Sequence, residues 1–312
     1  MRAARFPLPL LALAAGGCAA IPQATVAPPP AGVPTLVRPA EPERADFAFQ
    51  GALVQGGLAI GTAPAGTVAV TFDGKAVPLA PGGRFLIGFG RDFGPKAAVE
   101  ARMADGALRR QELTIAPGHW QIESLPTLAR GTTPTPEFLK RRSAELAQID
   151  AARAVRSQTD GWQQRFLWPV TGRISGLFGS QRIYAGQPGA FHSGVDVARP
   201  AGTPVVAPAD GVVVLAASAP FSLEGNLLMI DHGMGLNSSF LHLSRIDVKA
   251  GDRVYRGQRV GEIGMTGRAT GPHLHWALKW EDQRVDPMLL AGPMPGQAGT
   301  AAISGGTRKT AD

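Results

Sequence analysis

Two histidines one residue apart, His273 and His275, stand in the run Thr266-Gly267-Arg268-Ala269-Thr270-Gly271-Pro272-His273-Leu274-His275-Trp276. In an apolar, β-prone setting with Leu274, Trp276 and Leu278, that spacing points both imidazoles to one face of a strand. Gly271-Pro272 breaks the chain just before them and lets the strand begin cleanly. Paired imidazoles are costly to bury without partners, so the pair points to a metal or proton-transfer site; a solvated pair is the plainer alternative. His192 and Asp196 are four apart, an even spacing that keeps both on one face of an extended segment. His242 lies between Leu241 and Leu243, where an isolated histidine reads as a satisfied core residue. Four of the six histidines fall in these three segments. Imidazole plus carboxylate suits Zn²⁺, and a catalytic zinc takes three protein ligands with a fourth position open.

The succession H-x-x-x-D, x-H-L-S and T-G-x-x-T-G-P-H-L-H resembles the lysostaphin/LytM-type zinc endopeptidases of bacterial peptidoglycan. The resemblance runs from about Phe166 to Leu290 and includes the connecting phrase from Gly202 to Gly211. It implies a groove on the face of a central antiparallel sheet, with His192, Asp196 and His275 as zinc ligands and His242 and His273 as the catalytic pair. Zinc in such a site activates water at neutral pH, and an imidazole can take up, return or share the proton. Which of His242 and His273 is base and which stabilises the oxyanion stays open. The implied substrate is peptidoglycan, at its cross-links or stem peptides.

Three departures from the family bear on substrate preference. Phe240 stands where a tyrosine is common, Trp276-Ala277 replaces Phe-Glu, and Tyr184 is the only nearby candidate for a tyrosine upstream of the first ligand. A second reading is a non-catalytic, cell-wall-binding activator of a separate peptidoglycan hydrolase. Family members of that kind typically lose ligands, and none is missing here. A third, a wall-binding lipoprotein with a structural zinc, needs four protein ligands where the motifs offer three. His232, in Asp231-His232-Gly233, reads as a turn residue outside the site. Arg268 and Thr270 line the loop before the paired histidines, within reach of substrate.

The elements that must position these residues are mainly β. Forty glycines and 27 prolines, with 6% aromatic residues, favour strands, turns and linkers over a helical bundle. Residues 165–291 form short apolar runs such as Gly211-Val212-Val213-Val214-Leu215, expected as an antiparallel β metallopeptidase domain. Residues 46–127 alternate in the β manner between turns such as Asp73-Gly74 and Asp105-Gly106, expected as a β-sandwich-like accessory domain without chemistry of its own. His119 and Trp120, near its end, read as packing or surface residues. A linking helix is expected over 135–157, opened by Thr135-Pro136-Glu137, with Leu139, Leu146 and Ile149 on a rough stripe.

The N-terminus reads as an export signal over residues 1–18, with Arg2 and Arg5 before the apolar run Leu8 to Ala15. That run is too short to span a bilayer. Cys18, the only cysteine, sits where a lipoprotein signal places its acylated residue, although Ala15 departs from the usual leucine. Lipidation at Cys18 would add a membrane anchor; the alternative is simple cleavage nearby. A proline-rich spacer over 19–45 and a disordered tail over 292–312 complete the chain. Net charge is +7, yet residues 165–291 carry 12 basic and 10 acidic side chains, and no aromatic-interleaved basic module points to nucleic acid.

Overall fold

The computed structural model describes residues 46–128 and 134–296. The expected signal, Cys18, the spacer to residue 45 and the tail beyond 296 lie outside the described residues. No helix among the described residues is long and apolar enough to cross a membrane.

The first seven strands are β1 (Ala48–Gly51), β2 (Leu58–Thr62), β3 (Thr67–Phe72), β4 (Lys75–Val77), β5 (Arg84–Gly88), β6 (Lys96–Met103) and β7 (Leu108–Thr114). They form two antiparallel sheets, ordered β1-β2-β5 and β4-β3-β6-β7. The period of two read from the sequence is realised in β6, where Ala97, Val99 and Ala101 point inward and the residues between them do not.

Strand β8 (Ile122–Leu125) leaves these sheets and is followed by helix α1 (Pro136–Ala154). Thr135 caps α1 by accepting a hydrogen bond at Oγ1 from the backbone N–H of Phe138, with Pro136 in the first turn. The buried face of α1 is not the stripe expected from its leucines. Glu145, Ile149 and Ala152 are buried, while Leu139 and Leu146 are 54% and 41% exposed. A polar residue takes a buried position because Glu145 accepts hydrogen bonds from the Ser222 N–H and hydroxyl, both at 2.7 Å.

The remaining strands are β9 (Arg173–Gly176), β10 (Gln181–Tyr184), β11 (Gln187–Pro188), β12 (Val195–Ala198), β13 (Pro204–Val206), β14 (Gly211–Ala216), β15 (Asn226–Asp231), β16 (Leu236–Ile246), β17 (Arg253–Val254), β18 (Arg259–Ile263), β19 (His273–Trp280) and β20 (Gln283–Val285), before helix α2 (Pro287–Ala291). Ten of them make one antiparallel sheet whose main path is β17-β14-β15-β16-β19-β12-β9. Strands β8, β10 and β11 form a side sheet, with β8 parallel to β10.

One hydrophobic core runs from the first seven strands into the large sheet and includes Phe85, Phe89, Leu236, Trp276 and Trp280. Phe72 and Trp280 meet edge to face with ring centroids 6.1 Å apart. A smaller core joins Ile149 and Ala152 of α1 to Leu227 and Met229 of β15, with Leu241 of β16 against it, so α1 lies along one face of the large sheet.

Candidate active site and metal centre

The centre of the large sheet assembles the site by strand pairing. Asp196 of β12 is opposite His275 of β19, and Leu241 of β16 is opposite His275 from the other side. His273 and His275 share the strand and its face, because alternation repeats every two residues. His192 lies outside any strand, on the irregular segment before β12, so strand alternation is not what brings it to Asp196. Its place is set by the backbone pairs His192 N–H to Ser180 C=O and Gly179 N–H to His192 C=O, both 2.8 Å.

Three side-chain atoms converge. His192 Nε2 is 3.0 Å from Asp196 Oδ1 and 3.0 Å from His275 Nδ1, which is itself 2.8 Å from Asp196 Oδ1. A carbonyl can only accept, so the 3.0 Å contact of His192 Nδ1 with Leu177 C=O makes Nδ1 the donor and leaves the Nε2 lone pair facing the cluster. Tetrahedral zinc with bonds of about 2.0–2.1 Å needs ligand atoms about 3.3 Å apart, so opening this triangle by a few tenths of an ångström seats the ion. The set of two imidazoles and one carboxylate fits zinc.

Two of the three groups favour the ionisation state a metal requires; at His192 burial works to lower the imidazole, but Asp196 beside it outweighs burial and raises it, so metal binding there releases a proton. Desolvation works to raise the Asp196 carboxyl, but the His192 and His275 imidazoles against it outweigh burial and hold the group below the usual carboxylate range. Burial lowers the pKa of His275, which favours the neutral imidazole that a metal requires.

His242 and His273 stand beside the cluster. Their ring centroids are 4.8 Å apart, and His242 is 6.3 Å from His275. His242 Nδ1 donates to Thr266 C=O and His273 Nδ1 to Gly271 C=O, each at 2.8 Å. Both rings therefore keep Nε2 for the site, and His273 Nε2 lies 3.8 Å from Asp196 Oδ1. Burial pushes His242 down to about 4, so it stands neutral and able to accept a proton at pH 7.

The Peptidase family M23 description matches residues 190–287, the stretch that holds all five of these side chains. A crystal structure of a candidate M23 peptidase from Pseudomonas aeruginosa is 33% identical, covers 77% of this chain and 95% of its own, and superimposes with a TM-score of 0.58. The chain belongs to peptidase family M23.

Among curated M23-related proteins, the peptidoglycan DD-endopeptidase ShyA of Vibrio cholerae is 43% identical over 132 residues, which is 42% of this chain and 30% of that protein. The DD-carboxypeptidase/endopeptidase Mpg of Neisseria meningitidis is 38% identical over 139 residues, 44% of this chain and 32% of that protein. The match thus spans about a third of the length of these relatives.

The other residues singled out in the sequence take the following places in this M23 chain. His232 is fully buried, donates from Nδ1 to Asp210 C=O and meets Ser238 Oγ at Nε2, so its hydrogen bonds are used within the core. Arg268 and Thr270 are exposed on the loop before β19. Tyr184 pairs with Leu125 and Gln187 in the side sheet. His119 is exposed, and Trp120 packs on Phe178 at 5.6 Å and under the Arg91 guanidinium.

Sequence reasoning missed residues that act through others. Gly176 of β9 carries no recognisable motif, yet a Cβ there would lie 2.4 Å from Asp196 Oδ2 and 3.1 Å from His192 Cε1. At Gly194 a Cβ would meet the Trp276 carbonyl oxygen at 2.4 Å and His275 Nε2 at 2.8 Å. Thr266 supplies the carbonyl that orients His242 and ties β15 to β16, with Oγ1 donating to Leu243 C=O and accepting from the Asn226 N–H. Glu224 joins α1 to the site. Its carboxylate takes both arms of the Arg142 guanidinium at 2.6 Å, and its carbonyl accepts from the His242 N–H at 2.8 Å.

Proposed function

We propose that this M23 chain is a zinc-dependent endopeptidase that hydrolyses peptide bonds of peptidoglycan, in cross-links or stem peptides. The observation that carries the reading is the convergence of His192 Nε2, Asp196 Oδ1 and His275 Nδ1 beside two further imidazoles with free Nε2 atoms. His192, Asp196 and His275 would hold the zinc, which when bound supplies an activated water and a Lewis acid for the scissile carbonyl. His242 and His273 do the proton work. A neutral imidazole at Nε2 takes up a proton as the carbonyl is attacked and returns it to the leaving amine. The imidazole that carries the proton also donates a hydrogen bond to developing negative charge. A complete ligand set with both imidazoles in place favours this reading over a non-catalytic activator. The peptidoglycan substrate is suggested by the Vibrio relative, whose name carries it, and the endopeptidase activity by the names of both the Vibrio and the Neisseria relatives.

A peptidoglycan substrate places the protein in the cell envelope. We assign residues 1–18 as the export signal region, cleaved just ahead of Cys18, which becomes the lipid-anchored first residue, with residues 19–45 as its tether. Mass spectrometry of the membrane fraction reads this directly: a mature chain beginning with acylated Cys18 is expected, and any other start removes the anchor.

The enzymatic reading is tested by digesting purified, cross-linked peptidoglycan with the purified protein, with zinc, with chelator and as His273→Ala. New peptide termini that vanish with chelator and in the variant are expected. A folded, zinc-loaded protein that releases none returns the chain to the activator reading.

A further inference from the structure

The groove face of β19 continues beyond His275 through Ala277 to Lys279, which pairs with Arg284 of β20. Arg153 of α1 arrives from the other side. Arg142, Arg153, Arg284, Glu224, Ser193 and His275 line one cavity of about 140 Å³ between the helix and the sheet, walled in part by apolar side chains.

The cations around this cavity are unequally compensated. Arg142 is held by Glu224 and by Glu145. Arg153 has one acid within reach, Asp150 at 3.8 Å, whose side chain is 73% exposed, and a pair of that kind contributes little. The Arg153 Nε is buried without a hydrogen-bond partner. Arg284 makes no side-chain hydrogen bond or ion pair among the described residues, and Glu224, the acid that influences it, is already taken by Arg142. Burial pulls both guanidiniums below their ordinary pKa, and the two repel each other. Lys279 is lowered by burial and then by the same two arginines. Like charges gathered in a partly desolvated place are unfavourable unless an anion joins them.

We infer that Arg153 and Arg284 form a subsite for a carboxylate of the peptide substrate, which rests on the reading of this chain as a peptidase. The guanidinium fork matches a carboxylate in two parallel hydrogen bonds, and the apolar walls strengthen such a pair. His275 and Lys279 are four positions apart along the strand, about 13 Å, and the arginine side chains border a cavity that reaches His275 itself. A carboxylate held there lies within about two to four residues of the bond at the metal site, since extended chain covers ~3.3–3.6 Å per residue. It is either the free C-terminus of a peptide or a side-chain carboxylate. The subsite selects among peptides by charge, a property that neither the metal ligands nor the paired histidines supply.

The test uses the zinc-loaded full-length protein and three synthetic cross-linked peptides: one with free carboxylates, one amidated at its C-terminus and one amidated on its side-chain carboxylate. The wild type is expected to cleave the free acid with a kcat/KM about 10- to 100-fold above that of one amide, and that amide names the source of the carboxylate. In Arg284→Gln and Arg153→Gln the acid-to-amide ratio is expected to fall towards one, through KM, with zinc content and melting temperature retained. An unchanged ratio in both variants, or a wild type that does not discriminate, overturns the subsite. If the wild type cleaves none of the three, the peptidase reading fails separately. Calorimetric titration of the same peptides then decides: tighter binding of the acid that is lost in Arg284→Gln sustains the subsite, and equal binding of acid and amides ends it.

Discussion

His242 and His273 face one another at 4.8 Å between ring centroids, and each spends its Nδ1 hydrogen on a backbone carbonyl, of Thr266 and of Gly271. The pair is thereby fixed in one tautomer, with both Nε2 atoms beside the Asp196 cluster. Neither ring belongs to the triangle of closely spaced ligand atoms. His242→Ala is therefore expected to keep its zinc and lose about 10²- to 10⁴-fold in kcat, the range of a general acid–base group. Metal analysis alongside single-turnover kinetics checks this, and full activity in the variant removes His242 from the mechanism.

Asp196 Oδ1 contacts both His192 Nε2 and His275 Nδ1, so removing the carboxylate takes away one proposed ligand and loosens the other two. Asp196→Ala is expected to lose metal and activity together. Normal zinc stoichiometry in that variant shows the ligand assignment to be wrong.

Gly176 makes room for the same carboxylate. A methyl group there would sit 2.4 Å from Asp196 Oδ2, a side-chain atom able to shift, so the fold should survive while the ligand is displaced. Gly176→Ala is expected to weaken zinc binding by about 10- to 100-fold, the usual cost of disturbing the shell around a metal ligand. Competition with a chelator of known affinity measures it, and wild-type affinity refutes the positioning role.

Asp286 caps α2 by accepting from the Met288 N–H, but burial pushes its carboxyl up to about 6. A folded pKa raised above the unfolded value means that the folded state holds its proton more tightly. Its contribution is present at pH 4 and is lost as pH rises through 6. Asp286→Asn keeps an accepting oxygen and cannot ionise. The substitution should have little effect near pH 4 and should stabilise by about 1–3 kcal/mol at pH 8, several degrees in melting temperature. A variant no more stable than wild type at pH 8 contradicts this account.

The sequence by itself carried the candidate site and the mainly β class. Motifs in three segments, through their resemblance to a known family, named five side chains that the fold brings to one place, and turn-punctuated apolar runs carried the mainly β architecture. Those signals are local, because alternation with a period of two and capping at Thr135-Pro136 act within a few residues.

Other features came from long-range packing. The leucines of α1 read as its buried stripe, yet Glu145 is buried instead, because Ser222 and two arginines satisfy its carboxylate. Simple alternation would turn His242 to the side of β16 that buries Phe240. Instead, Asn226 to Leu228 of β15 span Phe240 to Leu243 of β16, and the extra residue forms a bulge where His242 takes φ +63°. That left-handed conformation costs a non-glycine residue about 1–2 kcal/mol. It is held by the His242 N–H bond to Glu224 and the ring bond to Thr266, partners 18 and 24 residues away in the chain. Arg153 and Arg284 likewise come to border one cavity only when α1 packs on the face of the large sheet. Contacts between distant residues decide them, and no local pattern records such contacts.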